Sequence, residues 1–296
     1  KLIRNSKLDK NDIWIISKKN MIVGSISENK EVEKRVALTP DIIKKYTSLG
    51  LGVNLTKDYG QHLGLSDDEY KSAGADIKIS DEEVILKSDA ILQMNIPHDE
   101  NLNKFRKEQI LIGVLNPYLN KTKLNHLTTK SIKCFSLELL PRITRAQSMD
   151  ILSSQANLAG YKAVIDSFAF FQKAIPMMMT AAGTISAAKV LIVGAGVAGL
   201  QAIATAKRMG AVVFATDVRV ASKEQVESLG GKFLTVEGSE NLETKGGYAK
   251  EASDEFKQKQ EELLKETLKK IDIVICTALI PGKKAPVIIK KDMIDV

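Results

Sequence analysis

Residues 189–217, KVLIVGAGVAGLQAIATAKRMGAVVFATD, limit the possible folds of this chain more than any other stretch. An apolar run enters Gly194-x-Gly196-x-x-Gly199, a helix of about ten residues leaves it, Gly210 stops that helix, and AVVFATD returns as a strand. A glycine triplet alone is a weak signal. Flanked by strand and helix, it defines a β–α–β unit, whose parallel strands need a sheet covered on both faces. Each glycine has its own task. Gly194 permits the tight turn, Gly196 lets backbone approach a pyrophosphate at the helix N-terminus, and Gly199 lets helix pack on strand. Ala195, Val197 and Ala198 complete the cradle. Asp217, ending the second strand, is placed to accept hydrogen bonds from an adenosine ribose, and its charge repels a 2′-phosphate. The unit therefore reads as a site for NAD(H) rather than NADP(H), with Arg219, just past Val218, close enough to blur that preference.

The first half of the chain alternates strand and helix as well. MIVGSIS, LGVNLTK, DIKI, AILQMNI, ILIGVL and IKCFSLELL read as strands. TPDIIKKYTSLG reads as a helix with Thr39 at its cap, Pro40 first and Gly50 as its stop, and SDDEYKSAGA as another. A long helix is expected from Ala146 to Gln172, ended by Pro176 and MMMTAAG. The expected architecture is α/β, with two Rossmann-like, doubly wound parallel sheets flanking an interdomain cleft and joined by that helix. The expected bounds are an extension or linker at 1–20, an N-terminal domain at 21–145, the connecting helix at 146–180, and the NAD-binding domain at 181–296. The chain starts without methionine and stops at what reads as the opening of a helix, so a fragment is expected.

Two later segments bear on the same site. EGSENLETKGGYAKEAS is too long and polar for a tight connection; it reads as a mobile loop, with Tyr248, between Gly247 and Ala249, as its only large apolar group and the loop as a lid. IDIVICTALIPG reads as a buried strand whose end, Thr277, Ala278 and Leu279, touches the nicotinamide side of the cofactor.

Composition excludes several classes. With 296 residues, 44% apolar and 27% charged, the chain is ordinary globular material for two domains. No apolar run approaches the roughly 18–20 residues of a membrane span. The net charge of +7 comes from scattered lysines, and aromatics at 5% fit nucleic-acid stacking poorly. Cys134 and Cys276 each fall in an expected buried strand; they read as small core residues in a reducing compartment, not as a disulfide or metal pair.

One stretch resists this bland reading. PRITRAQSMDILSSQANLAGY, residues 141–161, crowds polar groups onto an otherwise core-like helix. On that helix Asp150, Ser153 or Ser154, Asn157 and Tyr161 make one polar stripe, free of the lysine and glutamate that mark solvent faces elsewhere. Arg142, Arg145 and Gln147 precede it in a loop. The three histidines, His62, His98 and His126, read as surface or capping groups and do not offer a convincing general acid. Hydride transfer between two nicotinamides needs no proton donor, only two rings held face to face by hydrogen bonds, and the stripe suits that need.

These motifs, with TAAGTISAAKVLIVGAGVAGLQAIATAKRMGA, TDVR, KEQVESLGGKF, GGYAKE and TALIPGKKAPV, resemble the NAD(H)-binding components of proton-translocating NAD(P) transhydrogenases, from Met21 to the end. The resemblance implies that Arg142, Gln147, Asp150 and Ser153 hold the nicotinamide, with Gln147 reaching toward NADPH on a partner domain. It implies that Tyr248 closes on the adenosine side and that Asp217 binds the ribose. It further implies an alpha subunit of Si–Re type, a homodimer, and docking onto an NADP(H)-binding domain and a membrane proton channel. The location would be the cytoplasmic face of the inner membrane, peripheral through the membrane partner, or the mitochondrial matrix side in a eukaryote. Alanine dehydrogenases share the architecture and a KRVALTP-like opening, and are the nearest rival. They carry a lysine and a histidine for pyruvate where this chain has Gln93 and Leu115 or its neighbour, although Arg35 is kept. A non-catalytic NAD-binding module is the third reading.

Overall fold

The computed structural model describes residues 21–141, 143–236, 253–279 and 285–295. They group into two compact units divided between Pro141 and Arg142.

In the first unit, β1 (Ile22–Ser25), β2 (Gly52–Thr56), β3 (Ala75–Lys78), β4 (Ala90–Asn95), β5 (Ile110–Val114) and β6 (Lys133–Ser136) form one sheet in the order β3-β2-β1-β4-β5-β6. All five pairings are parallel. The connections carry α1 (Pro40–Ser48), α2 (Asp67–Ser72), α3 (Asp81–Leu86), α4 (Asp99–Asn103) and α5 (Lys121–Thr129). Local chemistry starts and stops them: Pro40 opens α1, Gly50 at φ +81° follows its end, and Ser66 and Glu69 cap α2 reciprocally. Alternate strand residues face opposite sides, so Val23, Val53 and Leu55 pack with Ile43 and Tyr70 on one face. Ile91 and Leu111 pack with Ile85 and Leu102 on the other.

In the second unit, α6 (Ile151–Phe170) is followed by a two-stranded antiparallel hairpin, β7 (Met178–Thr180) and β8 (Gly183–Ile185). Then come β9 (Lys189–Val193), α7 (Val197–Arg208), β10 (Val212–Thr216), α8 (Ser222–Ser228), β11 (Lys232–Phe233), α9 (Asp254–Leu268), β12 (Ile273–Cys276) and α10 (Lys291–Ile294). The sheet order is β11-β10-β9-β12, all parallel. Val164 and Phe168 of α6 join Ala202, Ile203 and Ala206 of α7 against Val190, Ile192, Val213 and Ile275. The opposite face packs Leu191 and Val193 on Leu264 of α9.

Three expectations need correction. The helix expected from Ala146 begins at Ile151, because Thr144–Met149 form a 3-10 turn and Asp150 caps α6. The Asp150 carboxylate accepts from the Ser153 N–H at 3.0 Å, satisfying an end-group that a longer helix would have bonded internally. Residues after Pro176 form the β7–β8 hairpin rather than a plain break, and its Met178, Met179 and Ile185 are exposed. Cys134 and Cys276 lie in strands β6 and β12, as the pattern requires, but both are exposed rather than core residues. No helix among the described residues is long and apolar enough to cross a membrane.

Candidate functional site in the second unit

In an open parallel sheet, ligands bind beyond the carboxyl ends of the strands where the order reverses. Here that point lies between β9 and β12, which run in register with Val193 beside Cys276. The next residues, Gly194 and Thr277, therefore stand abreast: the Thr277 hydroxyl donates to the Gly194 carbonyl at 2.8 Å, and its N–H donates to the Val193 carbonyl at 2.8 Å.

The glycine turn has the shape its spacing demands. Gly194 sits at φ +98°, and a Cβ there would also stand 2.9 Å from the Ala278 nitrogen. A Cβ on Gly199 would stand 1.8 Å from the Gly194 carbonyl oxygen, so only glycine lets α7 close on the turn. Gly196 differs: a Cβ there would meet only the Arg219 guanidinium, at 3.8 Å. It caps the twelve-residue α7 without a side-chain bond, leaving the helix's first N–H groups and its positive end facing open space. Ala195 is buried, whereas Val197 is partly exposed beside the opening. An anionic pyrophosphate fits this cradle in charge and in room.

Asp217 and Arg219 stand together next to it. The carboxylate accepts four hydrogen bonds: Oδ1 from the Arg219 N–H at 2.8 Å and Nε at 2.9 Å, Oδ2 from the Ala195 N–H at 2.7 Å and Arg219 Nη2 at 2.9 Å. Both side chains are largely buried, at 7% exposure for Asp217 and 17% for Arg219. Burial pushes the Asp217 carboxyl up, but the bonds from Arg219 and Ala195 outweigh it and hold the group below its ordinary value.

The polar stretch reaches this turn through α6. Gly160 packs so closely on α7 that a Cβ would stand 2.0 Å from the Ala198 carbonyl oxygen. One turn away, Asn157 Nδ2 donates to Gln201 Oε1 at 3.1 Å. Asp150 lies ten residues before Gly160, about 15 Å along the helix, and is paired with Ser153, whose hydroxyl donates to Oδ2 at 2.7 Å. Gln147 is exposed on the 3-10 turn, Tyr161 is half exposed on α6, and Leu279 is exposed beyond Thr277 and Ala278. Val218, between Asp217 and Arg219, is half-buried. Arg142, Gly247, Tyr248 and Ala249 lie outside the described residues.

The first unit has a smaller cavity of about 120 Å³ at its own strand reversal, lined by Ser27, Glu28, Glu33, Gln93, Asn95 and His98 among others. Buried Gln93 accepts from the Ile26 N–H at 2.9 Å and donates to Glu28 at 3.1 Å. Arg35 forms a two-pronged ion pair with Glu33, at 2.8 and 2.6 Å, which holds the Glu33 carboxyl down to about 2. Burial pushes Glu28 up, opposed by the N–H groups of Met94 and Asn95. Glu28 and Glu33 carry no motif in the sequence, and only their folded neighbours reveal them.

Fold and turn together define a two-sheet α/β protein of the dinucleotide-binding type. Comparison with known proteins narrows this further. A family model described as the alanine dehydrogenase/PNT N-terminal domain matches residues 24–159, and the corresponding C-terminal-domain model matches residues 163–296. The first of the separately encoded pieces of the NAD(P) transhydrogenase alpha subunit of Rhodospirillum rubrum is 48% identical over 274 residues, covering 90% of this chain and 71% of that protein. Its counterpart in Rickettsia prowazekii is 46% identical over 279 residues, covering 93% and 73%. The crystal structure of a transhydrogenase from Sinorhizobium meliloti superposes with a TM-score of 0.80 at 43% identity, covering 93% of this chain and 74% of that one. The chain belongs to the alanine dehydrogenase/PNT family.

Proposed function

We propose that this chain is the NAD(H)-binding component of a proton-translocating NAD(P) transhydrogenase, passing a hydride directly between NADH and NADP+ held on a partner domain. The observation that carries the reading is the cradle at Gly194–Gly199, open at Gly196, with Asp217 at its rim and Thr277 abreast of it. The names of the two relatives and of the superposed structure support the same assignment. When bound, the nicotinamide supplies the hydride. The chain's own residues hold and orient: the N-terminus of α7 takes the pyrophosphate, Asp217 accepts from the adenosine ribose, and Gln147, Asp150 and Ser153, with Arg142, align the ring. Alignment replaces acid–base chemistry, so no proton donor is needed at the reacting carbon.

The first unit favours this reading over an amino-acid dehydrogenase. Gln93 stands where the rival family carries a lysine, and its amide is committed to Ile26 and Glu28. Arg35, which would have to take a substrate carboxylate, is committed to Glu33. The exposed apolar hairpin, with Met179 at 72% exposure, supports a homodimer in which a second copy covers it. Attachment to a membrane then runs through the proton-channel partner, on the cytoplasmic or matrix side.

The test mixes this chain with a partner NADP(H)-binding domain and follows reduction of an NAD analogue by NADPH. Gln147→Ala is expected to slow that transfer by at least about tenfold while changing NADH affinity by less than about threefold. Equal losses in both would remove Gln147 from the second nucleotide. Turnover of pyruvate with ammonia, and none with the partner domain, would overturn the whole reading.

A further inference from the structure

An ionised carboxylate has about four lone-pair sites for hydrogen bonds. All four on Asp217 are taken: two by the backbone N–H groups of Ala195 and Arg219, and two by the Arg219 guanidinium. The backbone pair belongs to the turn itself and stays in any state that keeps the fold. The guanidinium pair is different, since it rests on rotatable side-chain bonds. A ribose presents two hydroxyls, and the two sites held by Arg219 are the number it needs.

We propose that Arg219 is the exchangeable occupant of the adenosine-ribose site: a ribose diol displaces it from Asp217, and where the carboxylate is removed the same guanidinium receives a 2′-phosphate. The inference deepens the reading of the turn as an NAD(H) site and rests on it. The geometry supports both halves. The guanidinium stands 3.8 Å from the Cβ position of Gly196, at the mouth of the cradle, so a small rotation moves it between the carboxylate and the ligand's path. It is planar and permanently charged, and it binds carboxylate and phosphate with the same two-pronged fork. A 2′-phosphorylated ribose lacks one of the two displacing hydroxyls and brings negative charge against Asp217, so the pair stays closed to it. Discrimination thus lies in the pair, not in Asp217 alone.

The test is a double-mutant cycle on the full chain, with NADH and NADPH dissociation constants measured by fluorescence titration for the unaltered chain, Asp217→Asn, Arg219→Met and the double variant. Asp217→Asn keeps the shape of the side chain and an acceptor for the Ala195 N–H; Asp217→Ala repeats the measurement with no oxygen left to hold the guanidinium. The expected result is a shift of at least about tenfold in the NADPH-to-NADH affinity ratio in favour of NADPH for both Asp217 variants. Adding Arg219→Met should erase that shift. If the ratio does not move, or if it moves equally with Arg219 absent, the arginine is not the receptor and the inference fails while the NADH site stands. If the unaltered chain binds no NADH, the reading beneath it fails instead, and the inference with it. Circular dichroism of each variant confirms that the ratios compare folded proteins.

Discussion

The contact between Gly160 and Ala198 ties the polar stretch to the glycine turn, and a single methyl group tests it. Replacing Gly160 with alanine adds that group, which would stand 2.0 Å from the Ala198 carbonyl oxygen, where ordinary contact begins at 3.4 Å. Because the obstacle is backbone, α6 and α7 must part by about 1.4 Å, in a core that packs like a solid. Overpacking of this kind costs about 1–3 kcal/mol, and a rigid neighbour places it near the upper figure. Against this, alanine is about 1 kcal/mol better than glycine in a helix interior. The net expectation is a loss of about 2 kcal/mol, or a fall of about 4–8 °C in melting temperature for a unit of this size. The assay is thermal unfolding by circular dichroism, with Ala159→Gly as control. Ala159 is exposed on the same helix, so the control loses only propensity, about 1 kcal/mol. A Gly160→Ala variant more stable than the parent, by the propensity gain alone, would refute the contact and the docking of α6 on the turn.

Two further outcomes are expected. The Glu33 carboxyl is held from the ordinary 4.5 down to about 2, chiefly by its bonds from Arg35. A group depressed on folding contributes stability that is fully present above its unfolded value and is lost as pH falls through the folded one. Glu33→Gln should therefore flatten the loss of urea midpoint between pH 4.5 and about 2, and parallel curves for parent and variant would contradict the pairing. Met179→Asp, on the exposed hairpin, should halve the mass measured by light scattering without lowering the melting temperature of the resulting monomer by more than about 1 °C. A parent chain that already runs as a monomer would refute the dimer.

The glycine turn was legible residue by residue because its requirements are local. Gly194, Gly196 and Gly199 are neighbours in the chain, and backbone sterics alone assign their tasks. The parallel sheets were legible for the same reason, since strand and helix periods are properties of short windows. The stripe on α6 was half legible: its polar spacing is real, yet Asp150 turned out to cap the helix, because a short side chain that can bond the first turn competes with helix continuation.

By itself, then, the sequence determined the two-sheet α/β class, the dinucleotide cradle and Asp217 at its rim. Only the tertiary structure decided what each polar group spends its bonds on. Gln93 and Ile26, or Gly160 and Ala198, come into contact because separate elements are packed together, and no local pattern records such a meeting. The same holds for exposure: Cys134 and Cys276 sit in strands by their sequence, but burial depends on which element lies over each strand face, and these faces are left open. Even Asp217 and Arg219, two residues apart, needed the fold, since it is the burial of both beside Ala195 that turns a common dipeptide spacing into a saturated, exchangeable pair.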